Sequence, residues 1–239
     1  MDNMFQRTAL LIGENNLQKL RNSHVAIFGI GGVGGFTLEA LVRSGIGKIT
    51  IIDSDCVEQT NLNRQIISNR QVVGQSKVEV AKNRALSINP RVEIVAIKMK
   101  YLKENANEID ISKFDYIVDA IDTVSSKIHL IQQAKEHGVR IISCMGTGGK
   151  LDTRKLCVST IDKTNGCPLA RVMRRELRKI GISDTKVVYS TEQSMIDAQQ
   201  ELISQKMPNG RSVTPSMIFV PATAGLMLAQ EVVLDIIKG

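Results

Sequence analysis

"FGIGGVGG", residues 28–35, is the stretch from which the rest of the chain is read. Gly29, Gly31 and Gly34 satisfy G-x-G-x-x-G, with the apolar run His24–Phe28 in front as a buried strand and a helical pattern behind. A glycine loop between a strand and a helix lets backbone N–H groups close on phosphate oxygens. Two ligands fit that spacing, a dinucleotide for hydride transfer and an ATP for group transfer. The residues downstream have to separate them.

Outward from the loop, apolar periodicity alternates between helix and strand. Residues 16–21 end an opening helix. Residues 33–44 form a helix, 49–52 a strand ending at Asp53, and 76–87 a helix that stops near Pro90. Strands follow at 92–97 and 116–118, then a helix at 125–137 and a strand at 139–143. Such alternation implies a parallel sheet with helices on both faces. After "GTGG" at 146–149 the connections lengthen: 155–161 is strand-like, 169–180 helical and 187–190 strand-like. Residues 192–216, rich in Gln, Ser and Asn with a Pro-Asn-Gly turn, read as a surface excursion. The final helix, 222–237, is too apolar for a lone solvent-facing helix and is expected in the core or against a second subunit. The expected fold is α/β: a doubly wound, mostly parallel sheet with a C-terminal extension.

The 239 residues are 43% hydrophobic, enough for one sizeable core. Residues 222–237 are broken by Gln230, Glu231 and Asp235, short of the roughly 18 uninterrupted apolar residues of a membrane span. Asp2, Gln6 and Arg7 interrupt any secretory leader, so a cytoplasmic protein with no membrane partner is expected. Cys56, Cys144, Cys157 and Cys167 form no C-x-x-C pair, which argues against a zinc site or a disulfide framework. His24, His129 and His137 show no ligand spacing. A net charge of +7 suits a polyanionic partner, while 3% aromatics and no Trp argue against a surface that grips single strands by stacking.

Asp53 lies about twenty residues past the loop, where a carboxylate accepts hydrogen bonds from a ribose. NAD and ATP both carry that ribose. In "DSDCVEQTNLNRQ", residues 53–65, Asn61, Arg64 and Gln65 follow directly, and Lys77 and the "DAID" carboxylates Asp119 and Asp122 come later. A dehydrogenase satisfies its pyrophosphate largely with backbone N–H groups. A triphosphate calls for cations and for a carboxylate that holds magnesium.

The "GIGGVGG" loop, "DSD", "NLNRQ" and "DAID", in this order over roughly the first 150 residues, resemble the enzymes that adenylate carboxylates in the manner of ubiquitin-activating proteins. Within that superfamily, "RTALLIG" (7–13), "CPLARVMRRELRKIGI" (167–182), "VVYSTE" (187–192) and "SMIFVPATAGLMLA" (216–229) resemble the branch of tRNA threonylcarbamoyladenosine dehydratases. Gly35 stands where Ser is common, Met4 where an additional Arg is common, and Cys167 replaces the usual Asp before Pro168. The resemblance implies a Rossmann-like single ATP-binding adenylating domain over 1–239. Its parts would be an N-terminal helical segment (1–22), a nucleotide-binding part (24–150) and a substrate-binding and dimerisation part (151–239).

The resemblance also implies the chemistry. A carboxylate is a poor electrophile until one of its oxygens can leave as part of a phosphate. In the family the threonyl carboxylate of the modified adenosine attacks the α-phosphate of ATP; the ureido group then closes a ring and expels AMP, a net loss of water. Gly29, Gly31, Gly32 and Gly34 would form the cradle, with Asp53 on the ribose and Asp55 and Asn61 beside it. Arg64, Gln65 and Lys77 would contact phosphates, and Asp122 would hold Mg²⁺. Arg7 would reach the ATP of a partner subunit in a homodimer. No catalytic cysteine is required. Arg171, Arg174, Arg175 and Arg178 recur at i, i+3, i+4 and i+7 as a basic stripe for tRNA, and alone they equally describe a solvated face. A second reading is adenylation of the C-terminal glycine of a ubiquitin-like sulfur-carrier protein, weakened by the missing C-x-x-C pairs. The residues leave a sulfur-transfer protein partner open.

Overall fold

The computed structural model describes residues 3–194 and 214–239. Most of the expected surface excursion at 192–216 lies outside the described residues. Two short helices, α1 (Gln6–Ile12) and α2 (Glu14–Asn22), turn about Gly13 and open the fold in place of one helix. The expected strands and helices then appear with ends shifted by a few residues at most. β1 (His24–Phe28), α3 (Gly34–Ser44), β2 (Lys48–Ile52), α4 (Lys77–Ile88), β3 (Glu93–Ile97), β4 (Tyr116–Asp119), α5 (Val124–Glu136) and β5 (Arg140–Cys144) form the doubly wound part. β6 (Leu156–Thr160), α6 (Pro168–Lys179), β7 (Lys186–Ser190) and α7 (Phe219–Lys238) complete it.

The seven strands form one sheet in the order β3-β2-β1-β4-β5-β7-β6. Every pairing is parallel except that of β6 with β7 at the edge. The C-terminal extension therefore continues the same sheet. Alternation along β1 sorts the core: Val25 and Ile27 face a cluster built from α2, α3, α4 and α7, while Ala26 and Phe28 face one built from α5 and α6.

By length and composition α7 could cross a membrane, so the interruptions at Gln230, Glu231 and Asp235 are not what decides its place. Packing decides it. Val220, Ala224, Leu228, Val232 and Ile236 are buried, a helical stripe laid against α3 and the sheet. Gly225 lets the two helices touch: a Cβ there would stand 2.9 Å from the Phe36 Cβ, and the Thr37 hydroxyl donates to the Gly225 carbonyl at 3.0 Å. The helix starts three residues earlier than its apolar pattern suggests because Pro221 sits in the first turn, where its missing N–H leaves no bond unmade.

Strand order reverses between β1 and β4, the switch point at whose strand ends sheets of this kind form a ligand crevice. Its wall is fixed by an ion pair that no sequence motif announces. Asp119, the last residue of β4, and Lys127 of α5 are both fully buried, with Nζ and Oδ2 2.8 Å apart. The Ser143 hydroxyl donates to the same Oδ2 at 2.5 Å, the Ile121 N–H to Oδ1 at 3.1 Å, and Lys127 to the Ile121 carbonyl at 3.1 Å. Asp119 is thus spent inside the fold and cannot pair with Asp122 on a metal.

Lys127→Met should destabilise the protein by roughly 3–5 kcal/mol in urea denaturation, because it strands a buried carboxylate. Adding Asp119→Asn should recover part of that loss. Equal stability of Lys127→Met and wild type would mean that the pair does not hold this wall.

Candidate functional site

Two positions of the glycine loop after β1 admit only glycine. Gly29 has φ +92°, and a Cβ would lie 2.6 Å from the Ala120 carbonyl oxygen. Gly34 allows no side chain either, since its Cβ would collide with the Gly29 carbonyl. Gly31 faces open space, with nothing closer to a Cβ than the Gln65 amide nitrogen at 3.9 Å. At Gly32 the nearest groups are Pro221 of α7 at 3.4 Å and Arg64 Cγ at 3.5 Å.

Asp53, directly after β2, anchors the loop. Its Oδ2 accepts from the Ile30 N–H at 2.6 Å and its Oδ1 from the Asp55 N–H at 2.8 Å. Each oxygen keeps a lone pair for a further donor such as a ribose hydroxyl. Lys77, in the first turn of α4, is buried and reaches Asp55 Oδ2 at 2.8 Å, while Asp55 itself is mostly exposed. Arg64 is half-buried, braced by the Thr60 carbonyl at 2.8 Å and Asn63 Oδ1 at 3.0 Å. Asn61 is buried and its Oδ1 accepts from the Glu58 N–H, so it shapes the turn that carries Arg64. Gln65 is buried with Oε1 unpartnered among the described residues, an amide left for a ligand beside Gly31.

Asp122 stands exposed between β4 and α5, with Oδ1 accepting from the Thr123 hydroxyl at 3.2 Å. No group of three or more His, Cys, Asp or Glu gathers as a metal cage among the described residues. A magnesium ion held by one carboxylate and by substrate phosphates fits that donor set. Burial pushes the Cys144 thiol up to about 12, so that cysteine supplies no nucleophile. Tyr101, beside the same wall, is pushed up to about 12 by burial, helped by the Asp119 charge, and stays a neutral donor.

Other expected residues lie elsewhere. Arg7 is exposed on α1, a helix without a buried residue. Neighbouring Phe5 packs on Gly45 before β2 begins, at the end of the sheet away from the crevice. On α6, Arg171, Arg175 and Arg178 are exposed, with Arg175 paired to Glu176 at 2.8 Å. Arg174 turns inward and donates to the Thr164 carbonyl at 2.6 Å and hydroxyl at 2.7 Å. It tethers the loop ahead of α6 and leaves the stripe with three outward arginines.

Residues 5–237 match the ThiF family. The chain is similar to tRNA threonylcarbamoyladenosine dehydratase of Bacillus subtilis, 39% identical with 100% of this chain and 96% of that protein covered. The enzyme of the same name from Haemophilus influenzae is 32% identical over 100% of this chain and 96% of its own length. Among solved structures it is similar to the E. coli tRNA N6-threonylcarbamoyladenosine dehydratase TcdA in complex with ATP. That match has a TM-score of 0.85 and 31% identity, covering 98% of this chain and 94% of that one. Taken with the glycine cradle and the cations that converge on it, these likenesses make the chain a member of the ThiF family.

Proposed function

We propose that this chain is an ATP-dependent tRNA threonylcarbamoyladenosine dehydratase. The observation that carries the reading is the cradle itself: Arg64 lies against Gly32, the Gln65 amide nitrogen faces Gly31, and buried Lys77 reaches Asp55. Those donors suit a triphosphate, and relatives of the same length bear the dehydratase name. The second reading, adenylation of a ubiquitin-like sulfur-carrier protein, has no such full-length support.

Asp53 holds the ribose and backbone N–H groups of the loop meet the phosphates. Arg64 and Lys77 neutralise the charge that builds up as pyrophosphate leaves, and Asp122 would hold Mg²⁺. Magnesium, when bound, would supply positive charge that offsets the phosphates. The substrate carboxylate attacks the α-phosphorus and pyrophosphate departs. The ureido group then attacks the acyl carbon, and AMP carries the oxygen away. Positioning and charge do this work, and the neutral Cys144 thiol takes no part.

We also propose a homodimer. Leu10 and Leu11 of α1 are 82% and 85% exposed, two large apolar side chains a partner would cover. Arg7 on the same helix lies toward the other end of the sheet from its own crevice, which supports a role at the partner's. Arg171, Arg175 and Arg178 would meet tRNA phosphates, and the protein would work in the cytoplasm.

Incubation with ATP, Mg²⁺ and threonylcarbamoyl-modified tRNA should give a nucleoside lighter by one water in mass analysis. Arg64→Ala should lower that rate by roughly 10²–10³ while circular dichroism stays unchanged. Pyrophosphate exchange stimulated only by a small carrier protein would overturn the dehydratase reading. Arg7→Ala and Asp122→Ala should each be inactive. After subunit exchange their mixture should recover roughly a quarter of wild-type sites, because half the dimers are mixed and each holds one intact site. No recovery in proven heterodimers would return Arg7 to its own subunit's site. Replacing Arg171 and Arg178 by Gln should weaken tRNA binding and lower its salt slope by about two units, one for each phosphate left unneutralised. An unchanged slope would make the stripe a solvated face.

A further inference from the structure

Lys150 is a buried cation that the chemistry above leaves unused. It follows the "GTGG" turn after β5, is only 4% exposed, and among the described residues has one polar partner, the Ser190 carbonyl at 3.3 Å. Lys127, the other fully enclosed lysine nearby, is neutralised by Asp119. Lys150 has no such carboxylate among the described residues. The adjacent Cys144 thiol supplies no anion, since burial keeps it protonated. An ammonium taken out of water against a single long carbonyl contact carries an uncompensated desolvation cost.

The backbone around Lys150 is pinned from two sides. Glu192, just past β7, accepts from the Leu151 N–H at 3.0 Å and from the Asp152 N–H at 3.0 Å. On the other flank the Gly149 N–H donates to the Pro215 carbonyl at 2.7 Å, ahead of α7. These clamps on the N–H groups either side of Lys150 fix where its side chain starts. The fold therefore maintains the unpaired charge in a set position, as binding sites do when the counter-charge arrives with the ligand.

Sheet order says which ligand. Along the strand ends, Asp53 follows β2, the glycine loop follows β1, Asp122 follows β4, and Lys150 lies over the ends of β5 and β7. With strands about 4.8 Å apart, this orders the ribose, the phosphates and then a position roughly 10 Å beyond β4. The phosphate cations Arg64 and Lys77 belong to the segment after β2, on the far side. An anion approaching the α-phosphate from the β5 side is the acyl substrate.

We infer that Lys150 is a substrate-binding residue that pairs with the carboxylate to be adenylated, holding one oxygen while the other faces the α-phosphorus. The inference rests on the adenylating reading and adds how the carboxylate is recognised. Burial makes the pair strong and selective: a neutral isostere would leave the ammonium unpaired.

The full-length protein can be titrated with an anticodon stem-loop carrying threonylcarbamoyladenosine and with its carboxamide counterpart. Wild type should prefer the carboxylate by roughly 10- to 100-fold, the worth of a charge-assisted bond. Lys150→Met and Lys150→Gln should bind ATP as wild type does and bind both stem-loops equally weakly. Lys150→Arg should keep the preference. A variant without the ammonium that still prefers the carboxylate overturns the inference, as does wild type with no preference. If Lys150→Met lost ATP binding, Lys150→Gln would carry the same comparison. Wild type that releases water from modified tRNA yet shows no preference removes Lys150 alone, whereas wild type that releases none removes the parent reading.

Discussion

The collision that any side chain at Gly29 would make with the Ala120 carbonyl governs the whole molecule. β1 and β4 are hydrogen-bonded up to Phe28 and Asp119, and at the next residue they part: β1 turns into the glycine loop and β4 into the loop bearing Asp122. They can part at so short a distance only because one has no Cβ and adopts a left-handed conformation that other residues rarely take. The Gly34 contact with the Gly29 carbonyl seats the first turn of α3 on the same point. Asp53 then ties the Ile30 N–H to the end of β2, so three strand ends and a helix N-terminus meet within one turn.

Around that junction, charge is sorted by depth. Asp119 and Lys127 are sealed together and serve as wall, whereas Asp122 stands in solvent and Arg64 is half-buried. Lys77 lies between these extremes, its stem buried and its ammonium held by an exposed carboxylate. A buried pair keeps its geometry whether or not nucleotide is present. Exposed groups can exchange water for phosphate at little cost. The crevice is rigid where position matters and wet where charge must be exchanged.

The doubly wound half is legible in the sequence because its signals are local: strand periodicity, the glycine spacing and the "NLNRQ" run each declare themselves within a few residues. The pairing of Asp119 with Lys127 is not, since two carboxylates in "DAID" look alike and only packing reveals which one faces inward. Arg174 misleads for a similar reason. Helical spacing aligns it with Arg171 and Arg178, but Thr164, ten residues earlier, turns it inward. The clamps beside Lys150 come from residues about forty and sixty-five positions away, and no short motif announces them. For α7, composition points correctly to burial but cannot name α3 as its partner.

That last partnership sets an order on how the chain can fold as it is made. The Thr37 hydroxyl and the Gly225 carbonyl are 188 residues apart in sequence, and one face of the helix that seats the nucleotide loop is covered by the final helix. While the ribosome works, α3 holds an apolar face with nothing to cover it, so the first half is complete in sequence long before it is complete in packing. Closure over so long a separation is slow, and the uncovered face meanwhile offers a surface for aggregation or for a chaperone. The nucleotide loop, encoded early, gains this packing partner only after α7 has been made.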